Sequence, residues 1–270
     1  MTTPRFTIGV SLKMYFSHAQ TLEWSRAVAA ICARHPAVLS GVVEVFVIPT
    51  YPSIPAVVEI MSPNPVGAQD LSVADRGPFT GEVSGAELAE IGCRMVEVGH
   101  AERRRLFGET DDVVSAKTAA ALRNGLVPIV CVGEVRRSDS GSAVAECVRQ
   151  AEGALEIART AGHHGRVLLA YEPHWAIGAS APAEPEHIRS VSSGLASAFR
   201  GDSQFPDVRV IYGGSAGPGL LPRIAEHVSG MFLGRFAHDP AVMAAVLDEA
   251  GEIERSWQRA GASTTRATSP

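Results

Sequence analysis

Cysteine is scarce in this sequence. Cys32, Cys93, Cys131 and Cys147 are all there are, and no two stand in a CxxC pair. That excludes the common zinc ribbons and thioredoxin-like redox motifs, and leaves too few thiols for a disulfide-stapled secreted fold. No metal site is expected. Long apolar runs are missing too: no stretch approaches the ~20 residues that a membrane span requires. Met1-Thr2-Thr3-Pro4-Arg5 opens without the apolar segment of a signal peptide, so a cytoplasmic protein is expected. Positive charge is outweighed, with 24 Lys and Arg against 29 Asp and Glu for a net charge of −5. Such a chain attracts neither a nucleic-acid backbone nor an anionic membrane. An anionic small ligand remains compatible if the positive field is local.

What is present suits a single large domain. The 270 residues are 46% hydrophobic and 20% charged, enough apolar material for a sizeable core. Short β-branched runs alternate with helical stretches almost from the start. Strands are predicted at Phe6–Val10, Val42–Ile48, Val66–Ala68, Arg94–Val98, Val127–Val132, Arg166–Ala170, Val208–Tyr212 and Gly230–Leu233. Helices are predicted at Ala19–Arg34, Ile54–Met61, Ala86–Ile91, Asp111–Asn124, Ser142–Ala161, Glu184–Arg200, Gly219–His227 and Pro240–Ala250. The strands are continuous apolar runs, as expected of parallel strands covered on both faces. Eight βα units favour an α/β fold of one closed (β/α)₈ TIM barrel spanning residues 1–250. Periodicity leaves an open eight-stranded sheet as the alternative. Gln69 to Ser84 is a connection of about 16 residues, long enough to suggest a functional or interfacial role. Residues 251–270 turn small and polar and are expected to be a disordered tail without chemistry.

In a barrel, polar residues just past strand C-termini converge on one face. Ser11-Leu12-Lys13 follows the first strand and puts an ammonium there. Val98-Gly99-His100-Ala101-Glu102 follows the fourth, with His100 where a helix begins, a setting that disfavours imidazolium. Tyr171-Glu172-Pro173-His174-Trp175-Ala176-Ile177-Gly178 follows the sixth: a carboxylate at a strand end, then a loop apolar enough to close over a ligand. Tyr212-Gly213-Gly214-Ser215 and Leu233-Gly234-Arg235 follow the seventh and eighth, where glycines let backbone N–H groups approach an oxyanion. Each segment alone also has an ordinary structural explanation.

Together, and in this order, these segments resemble the triosephosphate isomerase family over about Gly9 to Ala250. Gly-His-Ala-Glu-Arg-Arg at 99–104 and Tyr-Glu-Pro-His-Trp-Ala-Ile-Gly at 171–178 are the most specific. Tyr-Gly-Gly-Ser at 212–215 and Phe-Thr-Gly-Glu-Val-Ser at 79–84 support them. The resemblance implies a barrel isomerase without a cofactor, acting on a phosphorylated small sugar. It implies a homodimer through the loop around Phe79 to Glu82. Glu172 would be the base, His100 the uncharged proton donor to the carbonyl oxygen, and Lys13 the attractor of developing negative charge. The base and neutral histidine are the established pairing of that family. Glu102 would support Lys13. Gly178, Ser215, Gly234 and Arg235 would hold phosphate, Trp175, Ala176 and Ile177 would form the lid, and Tyr212 would support it.

The sequence departs from the family pattern at four places. Ser11 stands where Asn is usual, Arg235 follows Gly234 in place of a second Gly, Ala101 replaces a Ser, and the lid tip reads Ala179-Ser180-Ala181. A smaller Ser11 leaves space beside the substrate, and Arg235 adds a five-donor cationic fork. These changes resemble the branch of the family acting on tetrulose phosphates, converting L-erythrulose 1-phosphate to D-erythrulose 4-phosphate. One pocket contact, at ~1–3 kcal/mol, suffices to shift such a preference. The alternatives are triose phosphate isomerisation and a silent barrel that senses a sugar phosphate.

Overall fold

The computed structural model describes residues 3–267. Eight strands are present: β1 (Phe6–Ser11), β2 (Val43–Ile48), β3 (Gly67–Ala68), β4 (Met95–Val98), β5 (Val127–Val132), β6 (Val167–Tyr171), β7 (Val208–Tyr212) and β8 (Gly230–Leu233). Interleaved are α1 (His18–Cys32), α2 (Pro36–Leu39), α3 (Ile54–Met61), α4 (Gly85–Glu90), α5 (Ala101–Phe107), α6 (Asp111–Arg123), α7 (Ser140–Thr160), α8 (Pro185–Ala198), α9 (Leu221–Ile224) and α10 (Pro240–Ala267). The sheet runs β2-β1-β8-β7-β6-β5-β4-β3, and the strand pairings among the described residues are all parallel. A parallel bridge between Val47 and Val66, with the Val47 N–H on the Pro65 carbonyl at 3.2 Å, joins β2 to the start of β3. That bridge closes the ring. The fold is a single (β/α)₈ barrel, and the open sheet is excluded.

Alternation along each strand separates two cores. Phe46, Ile48, Met95, Ile129, Cys131, Leu168, Ala170, Ile211 and Phe232 point inward and fill the barrel. Ile8, Val45, Val47, Val130, Leu169 and Val210 point outward and pack with helix residues such as Trp24, Val28 and Leu155. On β1 the inward residues are Thr7, Gly9 and Ser11. A Cβ on Gly9 would overlap the Phe46 ring, so glycine makes room for the largest interior side chain. The interior is therefore plugged by apolar side chains in its middle, with Thr7, Glu44 and Arg166 paired at the strand starts and polar residues again at the mouth.

Helix starts follow their caps. The Ser17 hydroxyl accepts from Gln20 N–H in a capping box, and Thr110 and Asp139 cap α6 and α7 in the same sense. The strands lie within a residue of their predicted positions. The helices depart more. α2 and the seven-residue α5 are too short to show a period, and α9 is only one turn.

The tail needs correction. The chain expected to be disordered from Gly251 is instead helical, because α10 continues to Ala267. Ile253 and Trp257, four residues apart, share one face and pack on the core. Trp257 lies 5.8 Å from the Phe6 ring, with the Arg5 guanidinium 4.4 Å above it. Residues 268–270 lie outside the described part of the chain.

Candidate active site

After Ser11 the chain turns so that Lys13 adopts φ 48°, a left-handed conformation uncommon for a residue with a side chain. The Gln69 side-chain amide fixes this turn, donating to the Lys13 carbonyl at 2.9 Å and the Ile48 carbonyl at 3.4 Å. The ammonium so placed lies 2.7 Å from Glu102 Oε1 and 3.4 Å from His100 Nε2.

His100 is the N-cap of α5. Its Nδ1 accepts the Glu102 backbone N–H at 3.1 Å, so in the neutral ring the proton sits on Nε2. Nε2 faces Glu172 Oε2 at 3.4 Å. Glu172 is anchored just past β6 by its N–H on the Val132 carbonyl, 2.8 Å away. A Cβ on Gly213 would overlap Glu172 Oε1, so the β7 loop must carry glycine for the carboxyl to lie where it does. Glu172 Oε2 is buried with no hydrogen-bond partner among the described residues. An unsatisfied buried acceptor is costly, by ~1–3 kcal/mol, and calls for a functional reason.

Electrostatics follow from burial around one cation. Burial pushes the Glu172 carboxyl up to about 7, with Lys13 opposing. Burial, reinforced by the Lys13 charge, holds His100 well below the usual imidazole value. The ring is uncharged at neutral pH. Burial works against the Lys13 ammonium, but the Glu102 hydrogen bond and the Glu172 and Glu97 charges outweigh it and raise its pKa. Glu102 is likewise lowered by Lys13 despite partial burial.

The other rim carries the loops after β6, β7 and β8. Ser215, at φ 50°, has its hydroxyl 2.8 Å from the Ala176 carbonyl and 3.0 Å from that of Ala179. The Tyr212 hydroxyl accepts the Ala183 N–H at 3.0 Å. Arg235 Nη2 is 3.5 Å from the Gly178 carbonyl, so its fork meets the loop tip. The base of this loop is pinned by Glu134, which accepts from Trp175 Nε1 at 2.8 Å and the Tyr171 hydroxyl at 3.3 Å and touches His187 at 3.1 Å.

Ser11, Lys13, His100, Glu102, Glu172, Ile177, Gly178, Ser215, Gly234 and Arg235 line one cavity of about 1180 Å³. Trp175, Ala176 and Tyr212 stand behind its wall as supports. Arg103 pairs with Asp70 and Glu109 outside the cavity, and Arg104, at the cavity wall, pairs with Asp111.

The profile of the triosephosphate isomerase family matches residues 6–250. The chain belongs to that family. An L-erythrulose-1-phosphate isomerase of Pectobacterium atrosepticum is 48% identical over 252 residues, 93% of this chain and 97% of that one. A protein of the same name from Rhizobium etli is 37% identical, covering 85% of this chain and 86% of its own. A triosephosphate isomerase of Symbiobacterium thermophilum is 40% identical over 79% of this chain and 86% of its own. The crystal structure of triosephosphate isomerase from Bartonella henselae superposes with a TM-score of 0.76 at 28% identity, covering 90% of this chain and 98% of that one.

Three residues at the site escaped the sequence reading. Gln69 and Glu134 lie in loops and carry no distinguishing pattern. Glu97 did leave a signal: a carboxylate inside Met95-Val96-Glu97-Val98, a strand predicted to be covered on both faces, where an ionisable residue needs a reason.

Proposed function

We propose that the chain is a cofactor-independent isomerase that converts L-erythrulose 1-phosphate to D-erythrulose 4-phosphate. The 48% identity to the Pectobacterium enzyme along nearly the full length of both chains carries the substrate assignment. The chemistry rests on Lys13, His100 and Glu172 meeting at one cavity.

The substrate has its carbonyl on carbon 2 and a hydrogen and hydroxyl on carbon 3. Glu172, whose Oε2 is free of hydrogen bonds, takes the carbon-3 proton. The electron pair forms the carbon 2–carbon 3 double bond, and His100 Nε2–H hydrogen-bonds the oxyanion growing on carbon 2. Lys13 lowers the energy of that charge by placing an ammonium beside it. His100 passes a proton between the two oxygens, and the proton on Glu172 returns to carbon 2. The carbonyl ends on carbon 3; counted from the other end, the product is D-erythrulose 4-phosphate. An uncharged imidazole suits this role, because a nearly matched donor can give and regain its proton at each oxygen. Gly178, Ser215, Gly234 and Arg235 hold the phosphate, and the Trp175–Ile177 segment carries the lid over it.

The enzyme works as a homodimer in the cytoplasm. Met14, beside Lys13, is 88% exposed, and Phe79 in the long third loop is 47% exposed. Those two apolar groups suit an interface better than water. Among the described residues no helix is long and apolar enough to cross a membrane.

Triose phosphate isomerisation is the second reading, favoured by the Symbiobacterium relative. Side-by-side kcat/KM values for L-erythrulose 1-phosphate and dihydroxyacetone phosphate decide. The four-carbon ketose should be preferred by at least about 10-fold, in the range of one pocket contact. Faster turnover of the three-carbon ketose overturns the assignment.

A further inference from the structure

Glu97 is a deeply buried carboxyl of the cavity that the isomerisation above leaves unused. It sits one inward position above Met95 on β4, at the boundary between the apolar plug and the mouth. It is 3% exposed, yet lines the cavity. Oε2 accepts the Ser11 hydroxyl at 2.9 Å. Oε1 has the Cys131 thiol at 3.9 Å and His100 Nε2 at 3.9 Å, both too far for a strong bond. Burying a carboxyl costs several kcal/mol, and an apolar residue of like volume would serve a purely structural position as well or better. Burial and the Glu172 charge push Glu97 up to about 8, so at neutral pH it is mainly a neutral acid, able to donate as well as accept.

Its place in the ring says what it faces. With the strands in the order β1 to β8 around the barrel, β4 stands four strands from β8 in either direction. Glu97 therefore lies across the floor from Gly234 and Arg235. On the reading proposed above, a ligand held by its phosphate at β7 and β8 sends its far end toward β4. A triose phosphate ends at the carbons that react. A tetrulose phosphate continues by one CH₂OH, a group needing both space and hydrogen-bond partners.

We propose that Glu97 and the Ser11 it holds form the subsite for this terminal hydroxymethyl group and set the preference for a four-carbon ketose phosphate. This rests on the isomerase reading and adds a recognition element to it. Ser11 provides the space, being short, and Glu97 the second partner.

The test pairs a changed substrate with a changed pocket. The probes are L-erythrulose 1-phosphate, its 4-deoxy analogue and dihydroxyacetone phosphate, each assayed for kcat/KM with the full-length protein, Glu97→Met and Ser11→Ala. The unaltered protein should turn over the 4-deoxy compound about 10–200-fold less well than the parent. In Glu97→Met that penalty should shrink to within a few-fold, and the ratio of four- to three-carbon turnover should fall by a similar factor. Ser11→Ala should move both readouts the same way to a smaller extent, and stands in if Glu97→Met does not fold. A general loss of order would lower all three substrates together and leave the ratios alone. An unaltered protein indifferent to the deoxy substitution, or a penalty that survives in full in the folded variants, overturns the subsite and leaves the isomerase reading intact. No turnover of L-erythrulose 1-phosphate by the unaltered protein overturns both.

Discussion

At the scale of residues, the catalytic corner is governed by how burial and one ammonium sort its carboxyls. One ammonium, Lys13, faces Glu102, Glu172 and Glu97, and their proton affinities separate accordingly: Glu102, paired directly, is held low, while buried Glu172 and Glu97 rise to about 7 and 8. A base is active only when ionised, so kcat/KM should climb with pH through about 7 and then level. A rate that falls across that interval would remove Glu172 as the base. Glu172→Gln should lower kcat by at least ~10²–10⁴-fold, the usual worth of a general base, while phosphate-analogue binding persists. Glu97 makes a stability prediction of its own. Below pH 4.5 it is neutral folded or unfolded. Between 4.5 and about 8 the unfolded chain releases its proton and the folded one keeps it, so stability falls as pH rises through this window. Urea midpoints of Glu97→Gln should decline less steeply over that range; parallel curves would refute the assignment. Lys13, His100 and Glu172 could be singled out in the sequence because each follows an apolar strand, His100 and Glu172 inside distinctive motifs. Glu97 left only the signal of an acid inside a covered strand, and its place in the site could not be read because its neighbour Ser11 is 86 positions away.

At the scale of elements, the barrel was readable because parallel strands buried on both faces leave uninterrupted apolar runs. Closure was not, since it rests on the single bridge between Val47 and Val66, which no local pattern encodes. The end of the last helix was misjudged for a different reason: past Ala250 the sequence turns polar, yet two apolar side chains, Ile253 and Trp257, pack that stretch on the core. Trp257→Ala should therefore lower stability by roughly 1–3 kcal/mol, a part-buried aromatic's share, without altering the rate per folded molecule. No change in the thermal midpoint would mean that this turn of α10 contributes nothing. The lid hinge is stiffened from behind by Glu134, which gathers Trp175, Tyr171 and His187. The lid tip is met by Ser215 and Arg235. The loop thus has a fixed base and a contact at its tip that ligand could exchange.

At the scale of the whole molecule, a net-negative protein places Lys13 and Arg235 at the barrel mouth. A phosphorylated sugar entering there meets both cations. Met14, adjoining Lys13, ties the site to whatever covers the exposed apolar surface there. On the proposed homodimer, Phe79→Asp should lower the mass seen in light scattering from two chains to one and reduce activity with it; a protein monomeric from the outset would contradict the proposed assembly. Proton transfer at carbon by Glu172 beside a neutral histidine can be followed by proton NMR of L-erythrulose 1-phosphate in D₂O. With the unaltered protein, deuterium should replace hydrogen at the carbinol carbon beside the carbonyl as isomer accumulates, and with Glu172→Gln both processes should nearly stop. Exchange in that variant at the unaltered rate would contradict it.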